Sequence, residues 1–275
     1  MIRSGPALVT GASSGLGREY ARALAARGHD LIVVARRVDR LAVLADELTR
    51  QHGIAVETVA CDLASEVGLA ACRRALDRFH VEVAVLNAGF GSLGPFVGAD
   101  REREDRMVRL NCLAVVDLVR HLLPGMVSRG SGQLIVVSSA AAWHPVPYMA
   151  TYGASKAFEL HFVHALAEEL RGTGVGVLAV CPGPTQTEFS DVLRAAGRVG
   201  SGWPSRMPID RPSDVVARSL RAADQRRTVV ATGRIAVLTR VAGRLIPVGW
   251  TLRGVGAVHR RRARTGAAAG NADEN

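Results

Sequence analysis

The chain has 275 residues, of which 48% are hydrophobic and only 4% aromatic. This length and composition predict one folded α/β domain with closely packed helices and exclude a disordered chain. The formal net charge is +10, from 35 basic and 25 acidic residues, and much of the excess follows residue 225, including the run Arg260-Arg261-Arg262. Because the preceding part of the chain is more balanced, we do not expect nucleic-acid binding.

The cysteines and the N-terminus indicate the compartment. Cys61, Cys72, Cys112 and Cys181 are scattered, without Cys-x-x-Cys spacing, and mostly adjoin apolar runs. Buried free thiols are therefore expected rather than disulfides or a metal site. The N-terminus enters an apolar strand directly, without the pattern of a signal peptide. We expect a cytoplasmic protein with no bound metal.

Short apolar strands alternate with helical segments along the chain. The predicted strands span residues 6–10, 31–35, 56–60, 83–86, 133–137, 176–181 and 228–231. The predicted helices include 15–27, a charged helix ending near residue 51, 108–127, and one that carries Tyr152 and Lys156 and ends near residue 171. This alternation predicts an α/β fold with a doubly wound parallel sheet, a Rossmann fold, in a single domain. The carboxyl ends of parallel strands share one edge, which should collect Gly11, Ala35, Asp62, Asn87, Ser139 and Pro182.

The chain is predicted to divide into a catalytic domain over residues 1–235 and a C-terminal extension. Residues 187–212 are irregular and rich in glycine and proline, which indicates a lid over the site. Residues 236–264 form a basic extension, in which an amphipathic helix is predicted over 235–246, before Pro247. Residues 265–275 are small and polar, so disorder is expected there.

A glycine-rich turn follows the first strand. Gly11, Gly15 and Gly17 remove side chains where the backbone must turn sharply and meet a pyrophosphate. The helix that follows offers unpaired N–H groups and the positive end of its dipole. An ordinary turn is the alternative, but the position between a strand and a helix favours a dinucleotide site. The turn also contains Ser13, Ser14 and Leu16 as candidate cofactor contacts.

The end of the second strand indicates which dinucleotide is bound. NAD sites usually place a carboxylate there, which repels a 2′-phosphate, whereas this chain has Ala35 followed by Arg36 and Arg37. Guanidinium groups make bidentate contacts with phosphate oxygens, so NADP(H) is favoured over NAD(H). The alternative is that both arginines face solvent.

Tyr152 and Lys156 are four residues apart and share one face of a helix. Reduction of a ketone produces an alkoxide that needs a proton, but a tyrosine with a pKa of about 10 is a poor acid-base catalyst near neutrality. A neighbouring cation lowers that pKa, and Lys156 is the candidate.

Together these segments make the chain resemble the short-chain dehydrogenase/reductase family over roughly residues 5–235. The matching segments are Thr10 to Gly17, Asp62-Leu63, Asn87-Ala88-Gly89, Asn111, Ser138-Ser139, Tyr152 to Lys156, and Pro182-Gly183-Pro184 with Thr187. Leu86, where a second asparagine often stands, and Gln186 depart from the pattern without removing a reacting group. The resemblance implies an NADP(H)-preferring enzyme with an extended basic C-terminus.

The resemblance also implies roles for individual residues. The catalytic tetrad would be Asn111, Ser139, Tyr152 and Lys156, with Ser139 preferred over Ser138 because it lies thirteen residues before the tyrosine. Ser139 would hydrogen-bond the substrate carbonyl and Tyr152 would donate the proton, while Lys156 would hold the nicotinamide ribose and Asn111 a relaying water. The cofactor would further contact Asp62 and Leu63 at the adenine, Asn87, Ala88 and Gly89, Pro182 and Gly183, and Thr187 or Thr185 at the carboxamide.

Substrate contacts are expected between the serine and the tyrosine, at Trp143, His144 and Met149 besides Ser139 and Tyr152 themselves. Because this segment is mostly apolar, a hydrophobic ketone or secondary alcohol is predicted, such as a 3-oxoacyl or steroid-like compound. Trp143 and Met149 are alternatively packing residues. His144 is not expected to bind a metal, since no acidic or histidine cluster accompanies it.

Two other functions remain open alongside the NADP(H)-dependent oxidoreductase. A catalytically idle, nucleotide-sensing scaffold would keep the fold, but it would not require Ser139 and Tyr152. A membrane-surface adaptor would use the C-terminal extension, in which Trp250 and the arginines suit lipid headgroups. Alternatively, the extension packs along the substrate cleft or a subunit interface. The resemblance also implies a homodimer or homotetramer.

Overall fold

The computed structural model describes residues 5–189, 209–250 and 252–253. Its strands form one parallel sheet in the order β3-β2-β1-β4-β5-β6-β7. The strands are β1 (Ala7–Thr10), β2 (Leu31–Ala35), β3 (Val56–Ala60), β4 (Val83–Leu86), β5 (Gly132–Val137), β6 (Val175–Pro182) and β7 (Val229–Thr232). The helices are α1 (Gly15–Ala26), α2 (Val38–His52), α3 (Glu66–Leu76), α4 (Arg101–Val108), α5 (Ala114–Ser128), α6 (Ala150–Glu169), α7 (Pro212–Asp224) and α8 (Arg234–Leu245).

Helices cover both faces of the sheet because successive strand residues point to opposite sides. Leu8 joins a core cluster with side chains of α3, α5 and α6, whereas Val9 joins a second cluster with side chains of α1, α2 and α7. The strands of a sheet buried on both faces are largely apolar, as most of these are, whereas the edge strand β3 carries Glu57 and Thr58. The predicted single-domain, doubly wound α/β fold is confirmed.

The strand order reverses at β1, which pairs with β2 on one side and β4 on the other. In open sheets of this kind, ligands bind in the crevice outside the carboxyl ends of the strands at such a reversal. Gly11 directly follows β1 and Asn87 directly follows β4. The fold therefore brings the glycine turn to the expected ligand crevice.

The helix after β4 begins earlier than the predicted 108–127. Asp100 caps α4 by accepting a hydrogen bond from the Arg103 backbone N–H. The first turns, residues 101–106, carry only charged side chains, so the sequence has no apolar periodicity there. A π-helical turn, Arg109–Leu113, joins α4 to α5.

The continuous helix Arg101–Ser128 is, among the described residues, the one helix long and apolar enough to cross a membrane by length and composition. Val115, Leu118 and Met126 on this helix are buried in the core cluster beneath the sheet. Part of its apolar surface therefore packs within the folded domain, whereas Val108 and Leu113 are exposed.

The C-terminal extension contains α8, close to the predicted helix over residues 235–246. This helix packs against a short 3₁₀ helix, Ala140–Trp143, which lies between β5 and α6. The predicted lid over 187–212 falls mostly outside the described residues, and so does the tail over 265–275.

Candidate active site

The glycine turn has backbone conformations and close contacts that residues with a Cβ atom would not tolerate. Gly11 and Gly15 have φ angles of +68° and +52°, in the left-handed region that favours glycine. A Cβ at Gly17 would lie 2.2 Å from the carbonyl oxygen of Gly11. The three glycines therefore permit a tight turn with α1 packed directly against it.

The first turn of α1 is open to an anion. Its N-cap, Ser14, has an extended backbone, and within the described residues its side chain makes no capping hydrogen bond. No acidic residue occupies that first turn. Unpaired N–H groups and the positive end of the helix dipole suit a phosphate group, so the cradle fits a dinucleotide pyrophosphate. Leu16 lies in the same turn and is half-buried.

Asn87 braces the glycine turn from the end of β4. Its side-chain Nδ2 donates to the Thr10 carbonyl oxygen at 3.0 Å, and the Thr10 hydroxyl accepts from the backbone N–H groups of Asn87 and Ala88 at 2.9 and 3.0 Å. Ala88 and Gly89 continue the chain along this crevice. The contacts of Asn87 within the chain are those of a structural brace, although cofactor contact was predicted.

Two arginines form a cationic patch beside the turn. Arg37 Nη2 donates to the Ser13 hydroxyl at 3.0 Å and Arg37 Nη1 to Glu188 at 3.0 Å. Arg40, which was not predicted, donates to the other oxygen of Glu188 at 2.6 Å. Arg36 lies exposed next to them. The two paired guanidinium groups bind a carboxylate from the segment after β6, so the patch is suited to an anion.

Asp62 and Leu63 lie at the end of β3. Leu63 is buried, and the Asp62 side chain accepts hydrogen bonds from the Ala64 backbone at 3.1 Å and from Arg106 Nη2 at 2.7 Å. Burial opposes ionisation of Asp62, but these donors outweigh it and lower the pKa of the carboxyl. The pair lies at the same sheet edge as the glycine turn, where adenine contact was predicted.

The segment after β6 crosses the glycine turn. The Thr187 side chain packs over Gly15, where an added Cβ would meet it at 3.2 Å. Thr185 is buried and its hydroxyl donates to the Gly183 carbonyl at 2.9 Å. Thr187 is therefore the threonine in contact with the turn, and Pro182 and Gly183 lead the chain toward it.

Helix α6 aligns Tyr152 and Lys156 on its buried face, with exposed fractions of 6% and 4%. The Ser139 hydroxyl, which accepts from the Ala141 N–H at 3.1 Å, is near enough to the Tyr152 hydroxyl to lower the pKa of the phenol. Ser138 points elsewhere and donates to the backbone carbonyl of Lys156 at 2.7 Å. The alternation along β5 thus brings Ser139, rather than Ser138, to the tyrosine.

Lys156 is the only lysine in the chain, among 35 basic residues. Its Nζ donates to the Val137 carbonyl at 3.0 Å and to both carboxylate oxygens of Glu159, at 2.9 and 3.0 Å. An ammonium has three N–H donors, so these acceptors can engage all of them. The predicted contact with a ribose therefore requires one of these bonds to be exchanged.

Asn111 occupies the π-helical turn and is completely buried. Its Nδ2 donates to the Phe90 carbonyl at 3.0 Å and to the Ser155 hydroxyl at 2.9 Å, while its Oδ1 accepts from the Phe90 N–H at 3.3 Å. A Cβ on Gly89 would lie 3.0 Å from Asn111 Oδ1 and 3.4 Å from Lys156 Nζ. Asn111 thus lies close to Lys156 across Gly89, where a relaying water was predicted.

Burial dominates the titration of Tyr152. It raises the pKa of the phenol, while the Lys156 charge and the nearby Ser139 hydroxyl oppose the rise. The contribution of Lys156 has the predicted sign, but the net pKa lies above the ordinary value. Tyr152 therefore holds its proton near neutral pH, in the form that can donate it.

The predicted substrate residues fall into two groups. Met149 and Tyr152 share an apolar cluster with Met107, packed by the partly buried side chains Phe90, Leu93, Ala141, Val146 and Phe189. Trp143 and His144 instead contact α8: the Arg240 guanidinium lies 5.5 Å from the Trp143 ring centroid, and His144 Nε2 bonds the Thr239 carbonyl at 3.0 Å. The contacts of Trp143 are therefore those of a packing residue, which was the alternative to its predicted contact with the substrate.

The prediction from sequence missed Glu159, Arg40 and Glu188. Glu159 is seven residues after Tyr152, so helical spacing puts it on the same buried face. A charged residue on that stripe was the available signal. The Arg37–Glu188–Arg40 contact joins segments about 150 residues apart, and no local pattern marks it.

Comparison with known proteins identifies the family. The family model for short chain dehydrogenases matches residues 6–197. A very-long-chain 3-oxoacyl-CoA reductase from Pyrenophora tritici-repentis is 33% identical over 199 residues, 70% of this chain and 58% of that protein. Sulfoacetaldehyde reductase 2 from Chromohalobacter salexigens is 37% identical over 195 residues, 69% of this chain and 76% of that protein.

Solved structures agree in fold but hold different nucleotides. A short-chain dehydrogenase from Sphingobium yanoikuyae in complex with NADPH has a TM-score of 0.78 and 32% identity, covering 92% of this chain and 96% of that one. One from Burkholderia phymatum in complex with NAD has a TM-score of 0.76 and 26% identity, covering 89% and 94%. The match spans about three fifths of the length of the 3-oxoacyl-CoA reductases. The chain belongs to the short-chain dehydrogenase family.

Proposed function

We propose that the chain is an NADP(H)-dependent oxidoreductase that reduces the carbonyl group of a bulky, apolar substrate. The observation that carries this proposal is the buried Tyr152, with the Lys156 ammonium 5.9 Å from its ring centroid, Ser139 near its hydroxyl and an apolar cluster around it. A carbonyl oxygen in this position accepts hydrogen bonds from Ser139 and Tyr152, and Tyr152 then donates its proton to the developing alkoxide. The bound nicotinamide supplies the hydride. Asn111, in the buried π-helical turn, completes the proposed tetrad.

The choice of NADP(H) rests on Arg37 and its surroundings. Arg37 lies between the Ser13 hydroxyl of the glycine turn and the Glu188 carboxylate, and Arg40 binds the same carboxylate. A 2′-phosphate carries the charge and oxygen geometry that guanidinium groups recognise. With Ala35 at the end of β2, the described residues supply cations and no carboxylate from that strand end.

The substrate class rests on the apolar cluster. The side chain of Phe189 packs on Tyr152, with ring centroids 5.5 Å apart. Phe90, Leu93 and Val146 add apolar surface to the same cluster, which suits an acyl chain or a fused ring. The name of the Pyrenophora tritici-repentis relative, a 3-oxoacyl-CoA reductase, supports the first of these.

A small sulfonated aldehyde is a second candidate, favoured by Arg103. Its guanidinium lies 5.2 Å from the Phe90 ring centroid and donates to the Gly91 carbonyl at 3.0 Å. Its Nε is buried and, among the described residues, has no hydrogen-bond partner. A sulfonate would pair with this cation, and the Chromohalobacter salexigens relative is named for sulfoacetaldehyde.

NADPH oxidation by the purified protein tests both candidates. The panel comprises 3-oxoacyl-CoA thioesters of increasing chain length, a bulky steroid ketone and sulfoacetaldehyde, each compared with the Tyr152→Phe variant. The apolar proposal predicts that kcat/KM rises with acyl chain length. Sulfoacetaldehyde as the preferred substrate would overturn it, and an Arg103→Gln variant that loses that activity would establish the second candidate. NADPH binding without turnover on any member would favour the idle scaffold.

We also propose that the C-terminal extension contacts an anionic membrane surface. Leu238, Leu245 and Trp250 are 67%, 75% and 73% exposed. Together with the basic run Arg260-Arg261-Arg262 they supply the apolar and cationic groups that an interfacial segment needs. Co-sedimentation with anionic vesicles, lost in a Leu238→Glu/Leu245→Glu double variant and absent with neutral vesicles, would support this. Equal sedimentation of both proteins would contradict it.

A further inference from the structure

A carboxylate is buried where the proposed mechanism does not call for one. Glu159 is 1% exposed and lies on α6, one turn after Lys156. Both of its oxygens accept from Lys156 Nζ, at 2.9 and 3.0 Å. An unpaired charge is costly to bury, so each partner makes burial of the other tolerable.

The surroundings of Glu159 contain few other charges. Lys156 and Tyr152 face it from α6, Ser138 from β5, Cys112 from the π-helical turn and Cys181 from β6. The two thiols stay protonated because burial raises their pKa values to about 11 and about 12. Arg240 acts on Cys181 from α8. Lys156 is therefore the direct ionic partner of Glu159 within the described residues.

This pairing changes the field that Lys156 exerts on Tyr152. The ammonium lies 5.9 Å from the Tyr152 ring centroid and favours the phenolate, whereas the Glu159 charge disfavours it. A paired ammonium and carboxylate have no net charge. The phenol consequently keeps its proton to higher pH than it would beside an isolated ammonium.

We propose that Glu159 is a positioning residue of this site, which fixes Lys156 against Val137 and neutralises its charge, so that Tyr152 keeps its proton to higher pH and carbonyl reduction extends to higher pH. This inference rests on the proposed function. Proton donation to the carbonyl needs the neutral phenol, whereas removal of a proton from an alcohol needs the phenolate. Glu159 thereby sets the pH range of a reaction whose reacting atoms it does not touch.

The test is the pH dependence of kcat/KM in both directions for wild type and Glu159→Gln. The glutamine keeps the size of the side chain and leaves the Lys156 charge uncompensated. The alkaline limb for reduction and the acid limb for oxidation should both move to lower pH by about one unit, a roughly tenfold loss of kcat/KM for reduction at a fixed pH on the alkaline limb. Glu159→Asp should retain the wild-type limbs, and Glu169→Gln on the exposed end of α6 serves as the matched control.

Profiles of kcat/KM against pH that coincide for wild type and Glu159→Gln would overturn the inference. Spectroscopy separates this outcome from failure of the proposed function, because the chain has three tyrosines and a single lysine. In isotope-labelled protein, the Tyr152 resonance of Glu159→Gln should titrate at lower pH than that of wild type, whether or not a substrate has been found. An unchanged Tyr152 titration would reject the role of Glu159.

Wild type alone provides a readout if Glu159→Gln does not fold. The resonance of the single lysine should show a step as Glu159 titrates beside it, while the ammonium itself stays protonated. A lysine resonance without any step before the ammonium titrates would overturn the pairing.

Discussion

The Arg37 guanidinium is held by the Glu188 carboxylate, with Nη1 and Oε2 3.0 Å apart, while its other edge contacts the glycine turn at Ser13. Arg40 binds the second oxygen of the same carboxylate. A carboxylate thus lies at the cationic patch to which we assign the 2′-phosphate. The segment after β6 and the proposed phosphate site are linked by this contact, so phosphate binding must compete with it.

Glu188→Gln should therefore bind NADPH more tightly. Both ion pairs are partly exposed, and such pairs are worth about 0.2–1 kcal/mol each, so an increase in affinity of roughly twofold to thirtyfold is expected. NADH affinity should stay unchanged, because that cofactor has no 2′-phosphate. Fluorescence titration with each nucleotide measures this, with Glu168→Gln, which loses an exposed pair to Arg171, as the control. Weaker NADPH binding would mean that Glu188 supports the site.

Arg37→Ala should weaken NADPH binding much more than NADH binding. The substitution removes the guanidinium that would bind the 2′-phosphate, and with it a charge-assisted hydrogen bond worth about 1.5–3 kcal/mol. The Kd for NADPH should therefore rise roughly tenfold to a hundredfold. Arg36→Ala should act in the same direction if this exposed side chain also reaches the phosphate. Arg171→Ala is a suitable control, because that residue pairs only with Glu168 among the described residues. Equal losses for both nucleotides would exclude phosphate recognition.

Tyr152→Phe should abolish turnover and leave cofactor affinity within about twofold. The substitution removes the one hydroxyl that donates the proton, while the ring keeps its packing against Phe189. Stopped-flow measurement of NADPH oxidation, beside a binding titration, separates the two effects. Retained turnover would assign the proton to another group.

Gly17→Ala should destabilise the fold, because its Cβ would lie 2.2 Å from a backbone oxygen. The backbone would have to move to relieve this clash, and overpacking of that kind lowers the free energy of unfolding by about 3 kcal/mol. The Tm should therefore fall by several degrees. Gly249→Ala is the matched control, since a Cβ there meets no described atom within 4 Å and its φ is not positive. Thermal unfolding of both variants measures the difference, and equal Tm values would show that the turn relaxes freely.

The sequence was sufficient for the sheet and for the Tyr152–Lys156 alignment, because both follow from local periodicity. Most of the strands are apolar runs, and a separation of four residues on a helix defines a shared face. Ser139 was distinguishable from Ser138 only by family spacing. The structure supplies the independent reason, since Ser138 is bonded to the Lys156 backbone.

Other parts of the site depend on contacts that no local pattern encodes. The contact of His144 with the Thr239 carbonyl of α8 joins segments 95 residues apart, and the substrate contact predicted for His144 stays a prediction. The apolar cluster around Tyr152 draws Met107 from α4, a helix whose first turns are all charged. Glu159 was hidden because the buried face of α6 also carries the polar Ser155 and Lys156, while Phe158 is exposed, so that an amphipathic pattern is nearly absent.

Burial of Glu159 makes a prediction about stability that is independent of catalysis. Burial raises the pKa of this carboxyl from 4.5 to about 7 in the folded chain, although Lys156 opposes the rise. Between these values the folded state binds more protons than the unfolded state. The contribution of Glu159 to the free energy of unfolding is therefore fully present below about pH 4.5 and declines as pH rises to about 7.

Denaturant unfolding of wild type and Glu159→Gln at a series of pH values measures this contribution. Each unit of pKa shift corresponds to about 1.4 kcal/mol, so wild type should lose at most about 3 kcal/mol relative to the variant across this window. Asp62 and Glu47, whose pKa values are lowered, act in the opposite sense but are common to both proteins and cancel in the difference. A difference that stays constant from about pH 4.5 to 7 would mean that Glu159 ionises as easily in the folded chain as in the unfolded one.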